Sequence, residues 1–192
     1  MFDTVIQGGR VIDGMGQPWF RADIGVTGDS VAILHGDTSG IEAERVIDAT
    51  GLVVCPGFID MHSHSDLALL TNPRHEAKVS QGVTTEALGQ DGLSYAPISP
   101  ANLEQLIFYL AAVNGVPPDG VRWGSVREFL DLFDGRVSCN VAYFVPHASI
   151  RIEAMGWEAR LPTAAELTKM QELARQGMRD GAFGFSTGLT YP

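Results

Sequence analysis

Short apolar runs broken by glycine dominate the first fifty-five residues. Thr4-Val5-Ile6-Gln7 meets Gly8-Gly9, and Arg10-Val11-Ile12-Asp13 meets Gly14. Ala22-Asp23-Ile24-Gly25-Val26 and Ser30-Val31-Ala32-Ile33-Leu34 flank Thr27-Gly28-Asp29, which reads as a hairpin turn. Arg45–Asp48 and Leu52–Val54 add two more runs. Closely spaced short strands predict a small antiparallel sheet or part of a β-sandwich over residues 1–55.

The rhythm changes after Pro56-Gly57. Phe58–His62 reads as an apolar strand. Asn72 before Pro73 predicts a helix start, with the helix stopping near Gly82. Val83–Leu88 is a second strand, rich in β-branched residues at its start. Ser99-Pro100 opens a helix with Leu103, Ile107, Leu110 and Ala111 on one face. Ser125 to Glu128 is a capping box for the next helix, whose apolar face is Val126, Phe129, Leu130 and Phe133 before Gly135. Val137–Val145 is a third strand. Thr163 to Glu166 is a second capping box, followed by the stripe Leu167, Met170, Ala174, Met178. Ala182–Ser186 is a fourth strand. Strands alternating with helices predict an α/β fold with a parallel sheet over residues 56–192. A full (β/α)8 barrel takes about 250 residues, so about the first four strands of one are expected here.

Composition narrows the function classes. Lys and Arg total 13 and Asp and Glu 23, a formal charge of −10, which repels phosphate backbones and argues against nucleic acid as a partner. Apolar residues make up 45 %, enough for a packed core, yet no run reaches the roughly 18–20 apolar residues of a membrane span. The opening Met1-Phe2-Asp3-Thr4 has no secretory pattern, and Cys55 and Cys139 build no disulfide framework. A reducing, cytoplasmic setting is expected. Both cysteines read as buried small hydrophobes, and His35 and His75 as surface residues.

His62-Ser63-His64 closes the first core strand. Residues two apart on a strand share a face, with Cα atoms roughly 6.6 Å apart. Two imidazoles so placed can converge on one metal ion, and in a barrel this strand end opens onto the catalytic face. A purely structural pair is the alternative. Asp66, two residues on, either holds one of the rings from behind or is a solvated loop acid.

Val46 through His64 resembles the opening of the barrel in the amidohydrolase superfamily, where a His-x-His pair supplies the first two metal ligands. Gly82-Val83-Thr84-Thr85 with Gly89–Pro97, Asn140 through Arg151, and Gly181–Pro192 resemble successive strand-and-loop segments of its N-acyl-D-amino-acid deacylases. The resemblance implies a divalent metal, zinc first, and hydrolysis of a linear N-acyl-D-amino acid to a D-amino acid and a carboxylate. It also implies a small-molecule substrate rather than a membrane or nucleic-acid partner. One position departs: the family usually carries a zinc-binding Cys after the second strand, and Asp91 stands there. A carboxylate ligates too, but is harder and less zinc-selective. Read without the resemblance, Asp91 is a turn residue before Gly92.

His147, Arg151, Ser186 and Tyr191 fall at strand ends where the resemblance places substrate, although a core histidine, a surface salt bridge and a packing tyrosine are the plainer readings of His147, Arg151 and Tyr191. The resemblance assigns proton transfer to an Asp ending an eighth strand, beyond residue 192, and further His ligands to later strands. The chain is therefore expected to act as a truncated piece, weakly active or inactive alone, that self-associates through open barrel edges. A cyclic amidohydrolase of hydantoinase or dihydropyrimidinase type and a non-catalytic metal-binding fragment are the alternatives.

Overall fold

The computed structural model describes residues 1–188, 190 and 191. Met1–Pro56 and Gly57–Pro192 form separate units. In the first, β1 (Phe2–Gln7), β2 (Arg10–Val11), β3 (Phe20–Arg21), β4 (Asp23–Thr27), β5 (Ser30–Leu34), β6 (Ala43–Asp48) and β7 (Val53–Val54) make two sheets, ordered β5-β4-β1-β6 and β3-β2-β7. The β4–β5 hairpin turns at Gly28, whose φ of 57° suits glycine. The sheets are mixed, contrary to the antiparallel expectation: β1 runs parallel to β6, and β2 parallel to β7. In each case the chain between the two strands is long enough to serve as a crossover, which the spacing of short runs does not reveal. Val5, Val11, Ile24 and Ala49 are buried here, while Cys55 is exposed rather than packed.

The second unit is α/β. Strands β8 (Phe58–Asp60), β9 (Val83–Leu88), β10 (Asn140–Pro146) and β11 (Gly184–Ser186) form one parallel sheet in the order β11-β10-β9-β8. Helices α1 (Ala68–Thr71), α2 (Glu76–Val79), α3 (Pro100–Asn114), α4 (Val126–Asp131), α5 (His147–Met155) and α6 (Ala164–Arg179) supply the crossovers. Leu88, Tyr95, Phe129, Tyr143 and Val145 centre the core. The Tyr143 hydroxyl, fully buried, donates to Ala96 O and accepts the Ala96 N–H, both at 3.0 Å. Among the described residues no helix is long and apolar enough to cross a membrane.

Both capping boxes form, Ser125 with Glu128 and Thr163 with Glu166. Other local signals are overruled. Asn72 closes α1 instead of opening a helix, and α2 starts after His75 in a left-handed conformation. The buried face of α3 is Leu103, Leu106, Leu110 and Asn114, a stripe shifted from the expected one. On α6 Leu167 and Met178 are exposed. Met170 and Gly177 face inward, because at Gly177 a Cβ would fall 2.6 Å from a Val145 methyl. Helix α5, absent from the sequence expectation, starts directly at the end of β10.

Candidate metal centre

The carboxyl ends of β8 and β9 lie side by side, Asp60 in register with Glu86. From these two ends the chain brings His62, His64 and Asp91 together. Nε2 of His62 lies 3.2 Å and Nε2 of His64 3.3 Å from the same oxygen, Asp91 Oδ2. All three donor atoms fall within 4.8 Å of one another. His64 is the most enclosed, with its side chain 26 % exposed against 61 % for His62 and 52 % for Asp91.

The His64 ring is oriented by Asn114, a fully buried residue at the end of α3 that sequence reasoning missed. Asn114 Nδ2 donates to Leu93 O at 2.8 Å, which fixes the amide so that its Oδ1 faces His64 Nδ1 at 3.0 Å. The proton of neutral His64 therefore sits on Nδ1, and Nε2 presents a lone pair. That lone pair points at a carboxylate oxygen, acceptor against acceptor. The arrangement is favourable only with a cation, or an added proton, between them. The two nitrogen–oxygen separations, 3.2 and 3.3 Å, match the edge of a tetrahedron with bonds of about 2.0 Å, the zinc–nitrogen and zinc–carboxylate range. The donor set and its spacing fit a divalent metal.

Asp91 occupies φ 57° and ψ 20°, left-handed, inside the 3-10 turn Gln90–Gly92. Aspartate tolerates this region better than most residues but still at a cost. Asp66 makes no hydrogen bond to either imidazole among the described residues. It is fully buried, and its Oδ1 accepts the Gly89 N–H at 3.2 Å and the Ser94 hydroxyl, while Oδ2 has no hydrogen-bond partner among the described residues. Burial raises its carboxyl to about 6. Asp66 thus ties down the loop carrying Asp91 rather than a ring. The histidine strand end is anchored from the other side. Asp60 Oδ1 accepts the His62 backbone N–H at 3.1 Å, and the Lys78 ammonium paired with Asp60 holds that carboxyl below its ordinary range. Lys78 and His75 also meet buried Glu86, at 3.3 and 3.1 Å. His75 is therefore an interior residue hydrogen-bonded to Glu86, not the surface residue expected.

The remaining candidates gather at the next strand ends. His147 Nδ1 lies 2.7 Å from the Tyr191 hydroxyl, whose oxygen accepts the Gly188 N–H at 3.0 Å. Burial, then the nearby Arg151 charge, lowers the His147 pKa, which favours the neutral ring beside the phenol. Arg151 Nη2 donates to the carbonyls of Glu158 and Arg160 at 2.9 and 2.8 Å, folding that loop onto α5. His147, Arg151, Arg160, Leu161 and Tyr191 line an open groove of about 540 Å³. The Ser186 hydroxyl turns away from it: it donates to Gly89 O and accepts the Gly92 N–H at 3.1 Å. The two clusters abut, since a Cβ on Gly188 would overlap Asp91 O and one on Gly92 would fall 2.6 Å from the Tyr191 oxygen.

Residues 45–191 match the family described as "Amidohydrolase family". The N-acyl-D-glutamate deacylase of Alcaligenes xylosoxydans xylosoxydans is 40 % identical over 191 residues, covering 98 % of this chain and 38 % of that protein. The D-aminoacylase of the same organism is 38 % identical over 192 residues, covering 100 % of this chain and 38 % of the enzyme. Among solved structures, N-acyl-D-glutamate deacylase from Bordetella bronchiseptica, complexed with zinc and a phosphonate mimic of the tetrahedral intermediate, is similar with a TM-score of 0.83 at 38 % identity, over 99 % of this chain and 39 % of that one. A D-aminoacylase with a binuclear metal centre, described by one-metal activation and second-metal attenuation, gives a TM-score of 0.82 at 38 % identity, over 100 % and 40 % of the two chains. The chain thus spans about 40 % of the length of this structural relative.

Proposed function

This chain belongs to the amidohydrolase family, and on that premise we propose that it carries the first metal donors of a deacylase acting on N-acyl-D-amino acids. His62, His64 and Asp91 hold a divalent ion, zinc first. The four parallel strands are the first four of a (β/α)8 barrel preceded by a sandwich portion, in a cytoplasmic protein. The observation that carries the reading is the lone pair of His64 Nε2 set 3.3 Å from a carboxylate oxygen, an arrangement that calls for a cation. The similarity to N-acyl-D-glutamate deacylase and D-aminoacylase supports the substrate class.

The reaction adds water across a linear amide, releasing a D-amino acid and a carboxylate. When bound, the divalent ion supplies Lewis acidity at the amide carbonyl and lowers the pKa of water toward neutrality. The chain's own residues do the rest of what is visible here. Asn114 keeps the His64 proton on Nδ1 and its Nε2 free to ligate. Asp91 adds a negative charge that offsets the cation. Tyr191, oriented by His147 and the Gly188 N–H, stands at the groove mouth as a donor for the substrate carboxylate. Arg151 lines the same groove, and its positive charge favours an anionic substrate there. The edge strands β8 and β11 of the described sheet favour self-association.

The test is metal-reconstituted chain assayed on N-acetyl-D-glutamate, N-acetyl-D-leucine, their L-enantiomers and dihydrouracil. Release of D-amino acid that requires added metal and is lost in His64→Ala supports the reading. Metal-dependent opening of dihydrouracil with no D-amino acid released overturns it in favour of a cyclic amidohydrolase. No metal retained by the chain, or D-amino acid release that is unchanged by metal removal and by His64→Ala, overturns the metal assignment.

A further inference from the structure

The turn that carries Asp91 does not hold its own shape. Gly89, Asp91 and Gly92 all have positive φ, at 80°, 57° and 72°. A non-glycine residue in this region needs outside restraint to stay there. One restraint is Asp66, which grips the amino end of the loop through the Gly89 N–H and the Ser94 hydroxyl. The other comes from almost a hundred residues away. Ser186 ends β11, where it pairs in register with Pro146 of β10, so its position is set by the sheet. Its hydroxyl spans the turn, donating to Gly89 O and accepting from Gly92 N–H. These are the peptide groups on either side of Gln90 and Asp91.

We propose that Ser186 is a positioning residue for Asp91: by bridging Gly89 O and Gly92 N–H from the end of β11, it holds the turn so that the Asp91 carboxylate faces His62 and His64. This rests on reading those three residues as a metal centre. To donate to substrate, the hydroxyl would have to release Gly89 O. The bridge also joins the carboxyl end of β9 to that of β11, so the third donor depends on a strand distant in sequence.

The test is cobalt(II) titration of the full chain, followed by visible ligand-field absorption. Ser186→Ala is expected to weaken cobalt binding about 10–100-fold, as loss of a group supporting a ligand does, and to change the absorption envelope. Ser186→Cys, with a weaker donor of similar size, should fall between. If Ser186 acts through Asp91, then in an Asp91→Ala background Ser186→Ala changes cobalt affinity by less than about twofold. A merely structural serine would lower affinity equally in both backgrounds, and that result overturns the inference. So does wild-type affinity in Ser186→Ala. If circular dichroism shows Ser186→Ala unfolded, the same cycle run with Ser186→Cys decides. The outcome also separates two failures. Unchanged binding in His64→Ala and Asp91→Ala removes the metal centre itself; weakened but measurable binding in those two, with no weakening in the Ser186 variants, removes only the role assigned to Ser186.

Discussion

Asn114 offers the sharpest separation of metal binding from folding. Its side chain makes two bonds in opposite senses: Oδ1 accepts from His64 Nδ1 at 3.0 Å, and Nδ2 donates to Leu93 O at 2.8 Å. Asn114→Ala removes both inside a fully buried site. Each polar group left without a partner costs about 1–3 kcal/mol. Leu93 and His64 are both half-buried, so a combined loss of about 2–4 kcal/mol of stability is expected. The His64 tautomer is also released, which should lower metal affinity about 10–100-fold. Asn114→Asp splits the two effects. A carboxylate still accepts from His64 Nδ1–H, and more strongly, but has no hydrogen for Leu93 O. Stability should therefore fall about as far as in the alanine variant, while metal affinity stays within about threefold of wild type or rises. Urea unfolding of the metal-free chain reads the first quantity, and zinc titration by calorimetry the second. Equal metal affinity in the two variants would refute the tautomer argument.

Three further outcomes follow from other parts of the unit. Burial lifts Asp66 from 3.8 to about 6, so between those values the folded chain keeps a proton the unfolded chain has lost. Stability of the metal-free chain should then fall as pH rises from about 4 to about 6, by up to about 3 kcal/mol. Asp66→Asn keeps the Oδ1 acceptor without the charge and should remove that share of the slope; identical urea midpoints against pH in the two proteins would count against it. Gly188→Ala places a methyl group against Asp91 O and should cost metal stoichiometry, whereas Gly40→Ala, with nothing within 4 Å of its Cβ, should leave unfolding unchanged. Each capping box is local and exposed, so Ser125→Ala and Thr163→Ala should each lower stability by about 1 kcal/mol, read as additive shifts in thermal midpoint.

What the sequence made legible is what short segments decide for themselves. The capping boxes need four residues, and Val83–Leu88 carries its β-branched signal within its own length. The His-x-His pair was visible from its spacing, but strand alternation is not what unites the rings: β8, expected to reach His62, ends at Asp60, and both rings sit on the irregular segment that follows it. Errors begin where partners are remote. Asn72 has the right neighbour for a helix start, yet the Ala68 carbonyl takes its N–H and makes it an end. Helix α5 has no side-chain cap, only Pro146 leading straight out of β10, so nothing marked its start. His75 looked like a surface residue because its partner Glu86 lies on a different element. Asn114 did leave a trace: it continues the spacing of Leu103, Leu106 and Leu110 on α3, and a polar residue on an otherwise apolar face asks for a buried partner. That partner, His64, stands fifty residues earlier. Ser186 was singled out only through the resemblance, as a substrate contact; its bridge to the Asp91 turn left no trace until the sheet order brings it to Gly89 and Gly92. The ligating types are therefore readable from composition and period, while the groups that aim them are set by the order β11-β10-β9-β8, which only the folded chain displays.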